Sequence, residues 1–122
     1  MKSAIVFELA ALAAVALCKS SEKDFKQLQF PDWVAGDRLF PANVIEGYHD
    51  DYNNQTAESW SIHVLERCRA FEAGTSTITY SAINSGTPKD RYWFGYCFRG
   101  GRTTVADYVL TDGVQDSIVY TI

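Results

Sequence analysis

The stretch RYWFGYCF, residues 91–98, constrains the fold more than any other part of the sequence, because it places five aromatic side chains in eight positions. Successive side chains of a β-strand point to opposite faces of the sheet. One face of this segment would therefore carry Trp93, Gly95 and Cys97. The other face would be aromatic throughout, with Tyr92, Phe94, Tyr96 and Phe98. A strand of this kind needs neighbours that cover at least one of its faces.

The sequence from Trp60 to the C-terminus contains five strand-like segments separated by polar or Gly-containing stretches. The segments are WSIHVLERCRAF (60–71), TSTITYSAI (75–83), RYWFGYCF (91–98), RTTVADYVL (102–110) and DSIVYTI (116–122). The predicted loops are EAG (72–74), NSGTPKD (84–90), Gly100–Gly101 and TDG (111–113). We also expect a strand over 38–48. Five strands joined by short turns predict an all-β, antiparallel meander that closes into a β-sandwich or a small β-barrel.

The pair Gly100–Gly101 predicts a two-residue hairpin loop after the aromatic segment. Such a loop fixes the register of the two strands, so that Phe98 would face Thr103 and Gly95 would face Ala106. A small residue opposite another small residue would leave room there for a neighbouring side chain such as Trp60.

Residues 1–18 have the organisation of a secretory signal peptide. Lys2 precedes an apolar run, residues 4–17, that is too short to span a bilayer. We therefore expect cleavage of residues 1–18. The remaining chain, 19–122, has the length of one secreted, extracellular domain without a membrane span.

Secretion changes the expected state of the three cysteines. Cleavage after Cys18 leaves Cys68 and Cys97, which we expect to form a disulfide bond that stabilises the domain by about 3–4 kcal/mol. Cleavage after Ala16 would instead leave Cys18 for an intermolecular bond.

The predicted disulfide decides which face of residues 91–98 is buried. In a strand over 60–71, Cys68 would share its buried face with Trp60, so a bond to Cys97 would place Trp93 in the core. Two alternatives remain for the opposite, aromatic face. It is a platform for a sugar ring, a lipid or a protein partner. Otherwise it is covered by apolar residues of the N-terminal segment: Phe25, Phe30, Trp33, Phe40 and Val44.

The charge of the chain argues against nucleic acid as a partner. The formal net charge is −4, and no two Lys or Arg residues are adjacent. In YHDDY, residues 48–52, His49 stands beside two carboxylates, but consecutive residues rarely converge on one ion. We expect a solvated loop there, and neither a metal nor another cofactor.

Two polar motifs predict surface sites. NQT makes Asn54 an N-glycosylation site in a eukaryotic secretory pathway; the alternative is a chance triplet in a polar loop. RGGR places Arg99 and Arg102 across a turn, where they are either solvated or a contact for a carboxylate or phosphate of a partner.

The strongest catalytic candidates are His63, Glu66 and Arg67. They resemble the Glu/His acid–base couple and the phosphate-stabilising Arg that extracellular fungal ribonucleases carry on a β-sheet. In a strand, however, Glu66 would point away from His63 and towards the phenol of Tyr80, which would raise the pKa of its carboxyl. No second histidine is expected on this sheet, which favours a protein without enzymatic activity.

In overall plan the chain resembles small secreted fungal proteins of the effector and elicitor type. The matching features are the signal-like N-terminus, a mature length near 100 residues, one expected disulfide and a β-rich C-terminal half. The resemblance implies a non-enzymatic interaction protein that acts on an extracellular or host protein or on a glycan. One alternative is a carbohydrate-binding module that uses Tyr92, Tyr96 or Trp33. Another is a small hydrolase or ribonuclease that uses His63 and Glu66. The oligomeric state stays open.

Overall fold

The computed structural model describes residues 24–29, 32–83 and 90–122. The predicted signal peptide lies outside these residues, as does most of the predicted loop NSGTPKD. The described chain is mostly β, and its strand pairs are antiparallel. The strands are β1 (Lys26–Gln29), β2 (Trp33–Ala35), β3 (Val44–Asp51), β4 (Ser76–Ile83), β5 (Arg91–Phe98), β6 (Tyr108–Leu110) and β7 (Val114–Thr121). One α-helix is described, α1 (Ala57–Arg69).

Five of the strands form one sheet in the order β1-β7-β4-β5-β3, and β2 pairs with β6 in a second sheet. The segments TSTITYSAI, RYWFGYCF and DSIVYTI correspond to β4, β5 and β7, which confirms those three predictions. The strand expected over 38–48 begins only at Val44 and continues to Asp51. The simple meander is wrong, because β5 and β6 belong to different sheets.

The segment WSIHVLERCRAF forms most of helix α1, so the strand predicted over 60–71 is wrong. Its buried residues follow helical spacing: Trp60, Ser61, Val64, Leu65 and Cys68. Ile62, which strict alternation would place inside, is 46% exposed. A capping box begins the helix, since Ser59 N–H donates to the Thr56 hydroxyl and Thr56 N–H donates to the Ser59 hydroxyl. The predicted EAG hairpin is instead a turn after the helix, which Gly74 N–H closes by donating to Phe71 O at 3.0 Å.

The hairpin predicted at Gly100–Gly101 is also wrong. Both glycines adopt positive φ angles, 110° and 85°, so the turn does require them. The chain then leaves the five-stranded sheet, and Phe98 does not face Thr103. A 3₁₀ turn over Val105–Asp107 follows, and the chain returns to a strand only at β6, which pairs with β2.

A guanidinium from outside the predicted hairpin holds this departing segment. Arg38 donates to the carbonyl oxygens of Gly100 and Arg102, and its Nε lies 2.7 Å from the carboxylate of Asp107. Asp107 in turn accepts a hydrogen bond from Thr104 N–H at 2.8 Å. The contacts of Arg38 span more than 60 residues, and a local pattern of strand-forming residues does not reveal them.

The helix side of the large sheet is closed by a disulfide. Cys68 and Cys97 form the predicted bond, with Cα atoms 5.3 Å apart, and both residues are fully buried. The bond joins α1 to β5, so the face of β5 that carries Trp93 packs against a helix. Trp93 is 3% exposed and clusters with Trp60 and Val64.

Gly95 allows the helix to approach the sheet closely. Its neighbours in the sheet are Tyr48 and Thr79, and the predicted pairing with Ala106 is wrong. A Cβ atom at Gly95 would lie 2.7 Å from Val64 Cγ2 and 3.4 Å from Trp60 Nε1. The space that we expected for Trp60 therefore exists, although a helix brings that residue there.

The opposite side of the large sheet is covered by the small sheet and by the segment after β2. Their shared core contains Leu39, Ile78, Phe98, Tyr108 and Val119. Ser117 ties β2 to β7, because its hydroxyl accepts from Trp33 N–H at 3.0 Å and donates to Trp33 O at 2.7 Å. A bulge in β7, with Asp116 at φ 59°, precedes this serine.

Candidate functional site

Among the residues that the structure describes, only one end of the predicted aromatic face of β5 is fully covered. Phe98 is fully buried against Leu39 and Tyr108. Tyr92, Phe94 and Tyr96 are half-buried. The N-terminal segment therefore supplies part of the cover, and β6 supplies another part. Phe30, which we expected to contribute, lies outside the described residues.

A cavity of about 190 Å³ opens where the cover ends. We call it the aromatic cavity, and its lining residues are Val34, Ala35, Phe40, Tyr80 and Tyr96. Phe40 is 43% exposed and forms part of the rim. Its ring meets the ring of Tyr96 edge-on, with centroids 5.2 Å apart and planes at 75°. The arrangement combines ring faces, ring edges and two phenol groups around one small space.

Gly47 fixes the position of one of these rings. A Cβ atom at Gly47 would lie 3.1 Å from Tyr96 Cε1, so the ring of Tyr96 leans over the glycine on the neighbouring strand. This leaves the space between Tyr80 and Phe40 open.

Tyr80 supplies a phenol that stays protonated over a wide pH range. Burial raises its pKa above the ordinary value, and the neighbouring Tyr96 raises it further. The ring of Tyr80 lies 5.9 Å from that of Phe94, measured between centroids. Tyr80 therefore connects the cavity to the half-buried part of the aromatic face.

Polar residues of β3 flank that half-buried part. His49 pairs with Phe94, and Asp51 pairs with Tyr92, so both lie on the aromatic face. The motif YHDDY is thus largely an edge strand, and the solvated loop that we predicted there is wrong. Asp50 points to the other side, where hydrogen bonds from Gln55 and Asn54 lower the pKa of its carboxyl. Within the described residues, no group of three or more His, Cys, Asp or Glu side chains is placed to hold a metal ion.

A second cavity lies beside the helix and brings the catalytic candidates together. We call it the helix cleft; its volume is about 400 Å³, and its lining residues are Glu46, His63, Glu66, Arg67, Ala70 and Phe71. In a helix, residues three and four positions apart share a face. The expected orientation of Glu66 towards Tyr80 is therefore wrong, since Tyr80 lies on the other side of the sheet.

The helix cleft has a mixed charge. Arg67 Nη2 lies 3.7 Å from Glu46 Oε1, and its guanidinium carbon lies 5.5 Å from the centre of the Tyr48 ring. Burial, followed by the neighbouring Glu46, raises the pKa of Tyr48 to about 12. The side chains of Arg67 and Glu46 are 54% and 40% exposed, so water screens their attraction.

The remaining predicted site residues lie apart from both cavities. Arg99 and Arg102 are exposed beside the glycine turn, at the covered end of the aromatic face. Asn54 is exposed in a 3₁₀ turn, and its amide donates to Asp50 Oδ1 at 3.0 Å.

Of the five cavity residues, our sequence analysis assigned only Tyr96 to a site; Val34, Ala35, Phe40 and Tyr80 were not assigned. The pattern of TSTITYSAI does place Tyr80 on the same strand face as Ile78. Only the pairing of β4 with β5 brings Tyr80 beside Phe94, and these strands are separated in the sequence by residues 84–90.

Comparisons with known proteins add no relative. No protein-family model, no curated protein and no solved structure matches this chain. In the part of the chain that the structure describes, no helix has the length and apolar character needed to cross a membrane.

Proposed function

We propose that this protein is a secreted, non-enzymatic interaction protein of the effector or elicitor type, which binds an extracellular or host partner through its aromatic face. One observation carries the proposal: among the described residues, the cover of this face stops short of Tyr92 and Phe94, whereas α1 and a disulfide bury Trp93 on the helix side. Half-buried aromatic rings around a cavity are typical of surfaces that bind partners.

Secretion and the finer architecture are part of the same proposal. A fully buried disulfide suits an oxidising compartment, which supports cleavage of residues 1–18 as a signal peptide and N-glycosylation of Asn54. Among the described strands, β1 and β3 end the large sheet, which supports a β-sandwich over a closed barrel.

The processing is tested by producing the full chain in a eukaryotic secretory host. We expect mass spectrometry of the exported protein to find residues 19–122 with a Cys68–Cys97 bond and a glycan on Asn54. An exported chain that retains residues 1–18, or that has free thiols, contradicts the secretion part of the proposal.

The binding surface is tested by cross-linking the oxidised protein to extracellular partners. Tyr92→Ala and Phe94→Ala should each lower the cross-linked yield at least severalfold. Ile62→Ala is the matched control, because it removes an exposed apolar side chain from the helix, on the other side of the sheet. Equal yields for all three variants would remove the aromatic face from the proposal.

A small hydrolase or ribonuclease is the second candidate, because α1 brings His63, Glu66 and Arg67 into one cleft. Two carboxylates, Glu46 and Glu66, line the same cleft and would repel a phosphate, which is why this function ranks second. An RNA-degradation assay should find no activity that depends on His63. Activity that His63→Ala abolishes and His49→Ala preserves would make the enzyme the better proposal.

A further inference from the structure

We infer that the aromatic cavity binds one ring of a neutral saccharide. The inference rests on the proposed function, since it names the chemistry that the aromatic face recognises in its partner. Its support comes from the charge, the polarity and the size of the cavity.

The charge of the cavity disfavours an anionic ligand. In the part of the chain that the structure describes, the lining residues are all uncharged: Val34, Ala35, Phe40, Tyr80 and Tyr96. A carboxylate or phosphate that entered this space would lose its hydration and gain no counter-ion. A cation would gain the faces of the rings but no carboxylate to pair with. A neutral ligand enters without either requirement.

The polarity of the cavity selects a ligand with both an apolar face and hydrogen-bonding edges. Phe40 and the two tyrosine rings provide aromatic surface, while the phenols of Tyr80 and Tyr96 provide donors and acceptors. A pyranose ring has C–H groups that stack on aromatic surface and hydroxyl groups at its edge. An aliphatic or phenylalanine side chain of a protein partner would offer no polar atom to these phenols.

The size of the cavity limits the bound part to a single ring. Its volume of about 190 Å³ lies below the ~300 Å³ at which pockets for drug-sized ligands begin. The half-buried ring of Phe94 lies beside Tyr80, with ring centroids 5.9 Å apart, and Tyr92 lies two residues, or about 7 Å, further along β5. A saccharide chain that leaves the cavity would follow these rings, with His49 and Asp51 of β3 beside it.

The test uses defined probes: glucose, mannose, galactose and N-acetylglucosamine oligosaccharides, measured by titration calorimetry with the oxidised full chain. We expect at least one of them to bind. Tyr80→Phe should weaken that binding about fivefold to tenfold, because it removes one hydroxyl and leaves the ring. Phe40→Ala should weaken it by a similar factor through lost stacking.

Tyr120→Phe is the matched control for the loss of a hydroxyl. Tyr120 pairs with Thr77 on the helix side of the same sheet, so its substitution should leave the saccharide affinity unchanged. Unfolding curves of each variant separate a binding effect from a folding defect. Oligosaccharide binding that Tyr80→Phe and Phe40→Ala both leave intact would overturn the inference, because the sugar would then bind elsewhere.

A second arm distinguishes the inference from the proposed function. A partner glycoprotein identified by cross-linking is tested before and after enzymatic removal of its glycans. Loss of binding after deglycosylation supports both proposals. If the partner still binds after deglycosylation and no oligosaccharide binds, the saccharide inference is overturned and the proposed function as an interaction protein stands. Both proposals are overturned if neither the oligosaccharides nor a glycoprotein partner binds and if Tyr92→Ala and Phe94→Ala leave the cross-linked yield unchanged. Self-association through the aromatic face, or binding of a tryptophan peptide without any saccharide, also overturns the saccharide inference.

Discussion

The two sides of the five-stranded sheet are held in different ways. On the helix side, a disulfide and the interlocking of Val64 with Gly95 pack α1 tightly against β5, and the helix cleft lies between α1 and β3. On the aromatic side, a two-stranded sheet and a short segment cover the core, and the aromatic cavity remains beside Tyr80. The contact of α1 with β5 acts as a scaffold, and the partly covered side is the surface that we propose binds a partner.

Polar contacts attach the aromatic side in addition to its apolar core. Ser117 connects β2 to β7 through two hydrogen bonds to Trp33, and Arg38 connects the segment after β2 to Asp107. Hydrogen bonds and exposed ion pairs of this kind contribute about 1 kcal/mol each, less than a disulfide or a tightly packed contact. Loss of one of these polar contacts should therefore cost less than loss of the disulfide or a clash between α1 and β5.

Removal of the disulfide should have the largest effect. Replacing Cys68 and Cys97 together by Ala opens a link across 29 residues and should lower the free energy of unfolding by about 3–4 kcal/mol. Urea unfolding curves of the variant and of the wild-type protein measure the difference. The reduced wild-type protein is the control and should lose a similar amount. A loss below about 1 kcal/mol would mean that the bond does not hold the helix to the sheet.

A pair of glycine substitutions compares the two sides directly. Gly95→Ala places a Cβ 2.7 Å from Val64 Cγ2, between α1 and β5, and should cost about 2 kcal/mol. Gly47→Ala places a Cβ 3.1 Å from the half-buried ring of Tyr96, a less severe approach, and should cost less than about 1 kcal/mol. Chemical denaturation of both variants provides the measurement. Equal costs would contradict the difference in packing between the two sides.

Strands with flanking turns could be predicted from the sequence, whereas the helix could not. The spacing of Trp60, Ile62 and Val64 fits a strand, and the spacing of Trp60, Val64 and Cys68 fits a helix equally well. The exposure of Ile62 decides between them, and it is visible only in the folded structure. The capping box of α1 has Ser59 where Glu or Gln is the usual signal. The disulfide was predicted correctly although Cys68 lies in a helix, because the prediction rested on the number of cysteines left after residue 18 and not on the secondary structure around them.

The composition of the candidate sites depended on whether residues 60–71 form a strand or a helix. In a strand, Glu66 points away from His63; in a helix, both line one cleft. The aromatic cavity depends in addition on Phe40, which stands about 40 residues before Tyr80 and reaches it only through the folded chain. Contacts of that separation leave no periodic signal in the sequence.

Protonation should loosen the aromatic side at acidic pH. The hydrogen bond from Arg38 lowers the pKa of Asp107 below its ordinary value of 3.8, so this carboxylate stabilises the fold above that pH and its contribution is lost as the pH falls through the lowered value. Asp107→Asn should therefore lower the free energy of unfolding at pH 7 by at most about 1 kcal/mol, since Arg38 is largely exposed. The difference should vanish at pH values below the lowered pKa.

The measurement is urea unfolding between pH 2 and pH 7. Asp112→Asn serves as the control, because this exposed residue lies in the turn before β7. A difference between Asp107→Asn and the wild-type protein that persists unchanged at the lowest pH would show that the charge of Asp107 is not its cause.

Replacing Asp116 in the β7 bulge by glycine should give the smallest effect, and in the opposite direction. Asp116 adopts φ 59°, a left-handed conformation that glycine adopts without strain and a β-branched residue does not. Asp116→Gly should raise the free energy of unfolding by less than about 1 kcal/mol, whereas Asp116→Val should lower it by about 1–2 kcal/mol. Hydrogen exchange at Trp33 N–H, which donates to Ser117, reports whether the bulge positions this serine. Exchange should quicken in Asp116→Val alone; equally fast exchange in Asp116→Gly would mean that the aspartate side chain, and not the backbone geometry, fixes the small sheet to the large one.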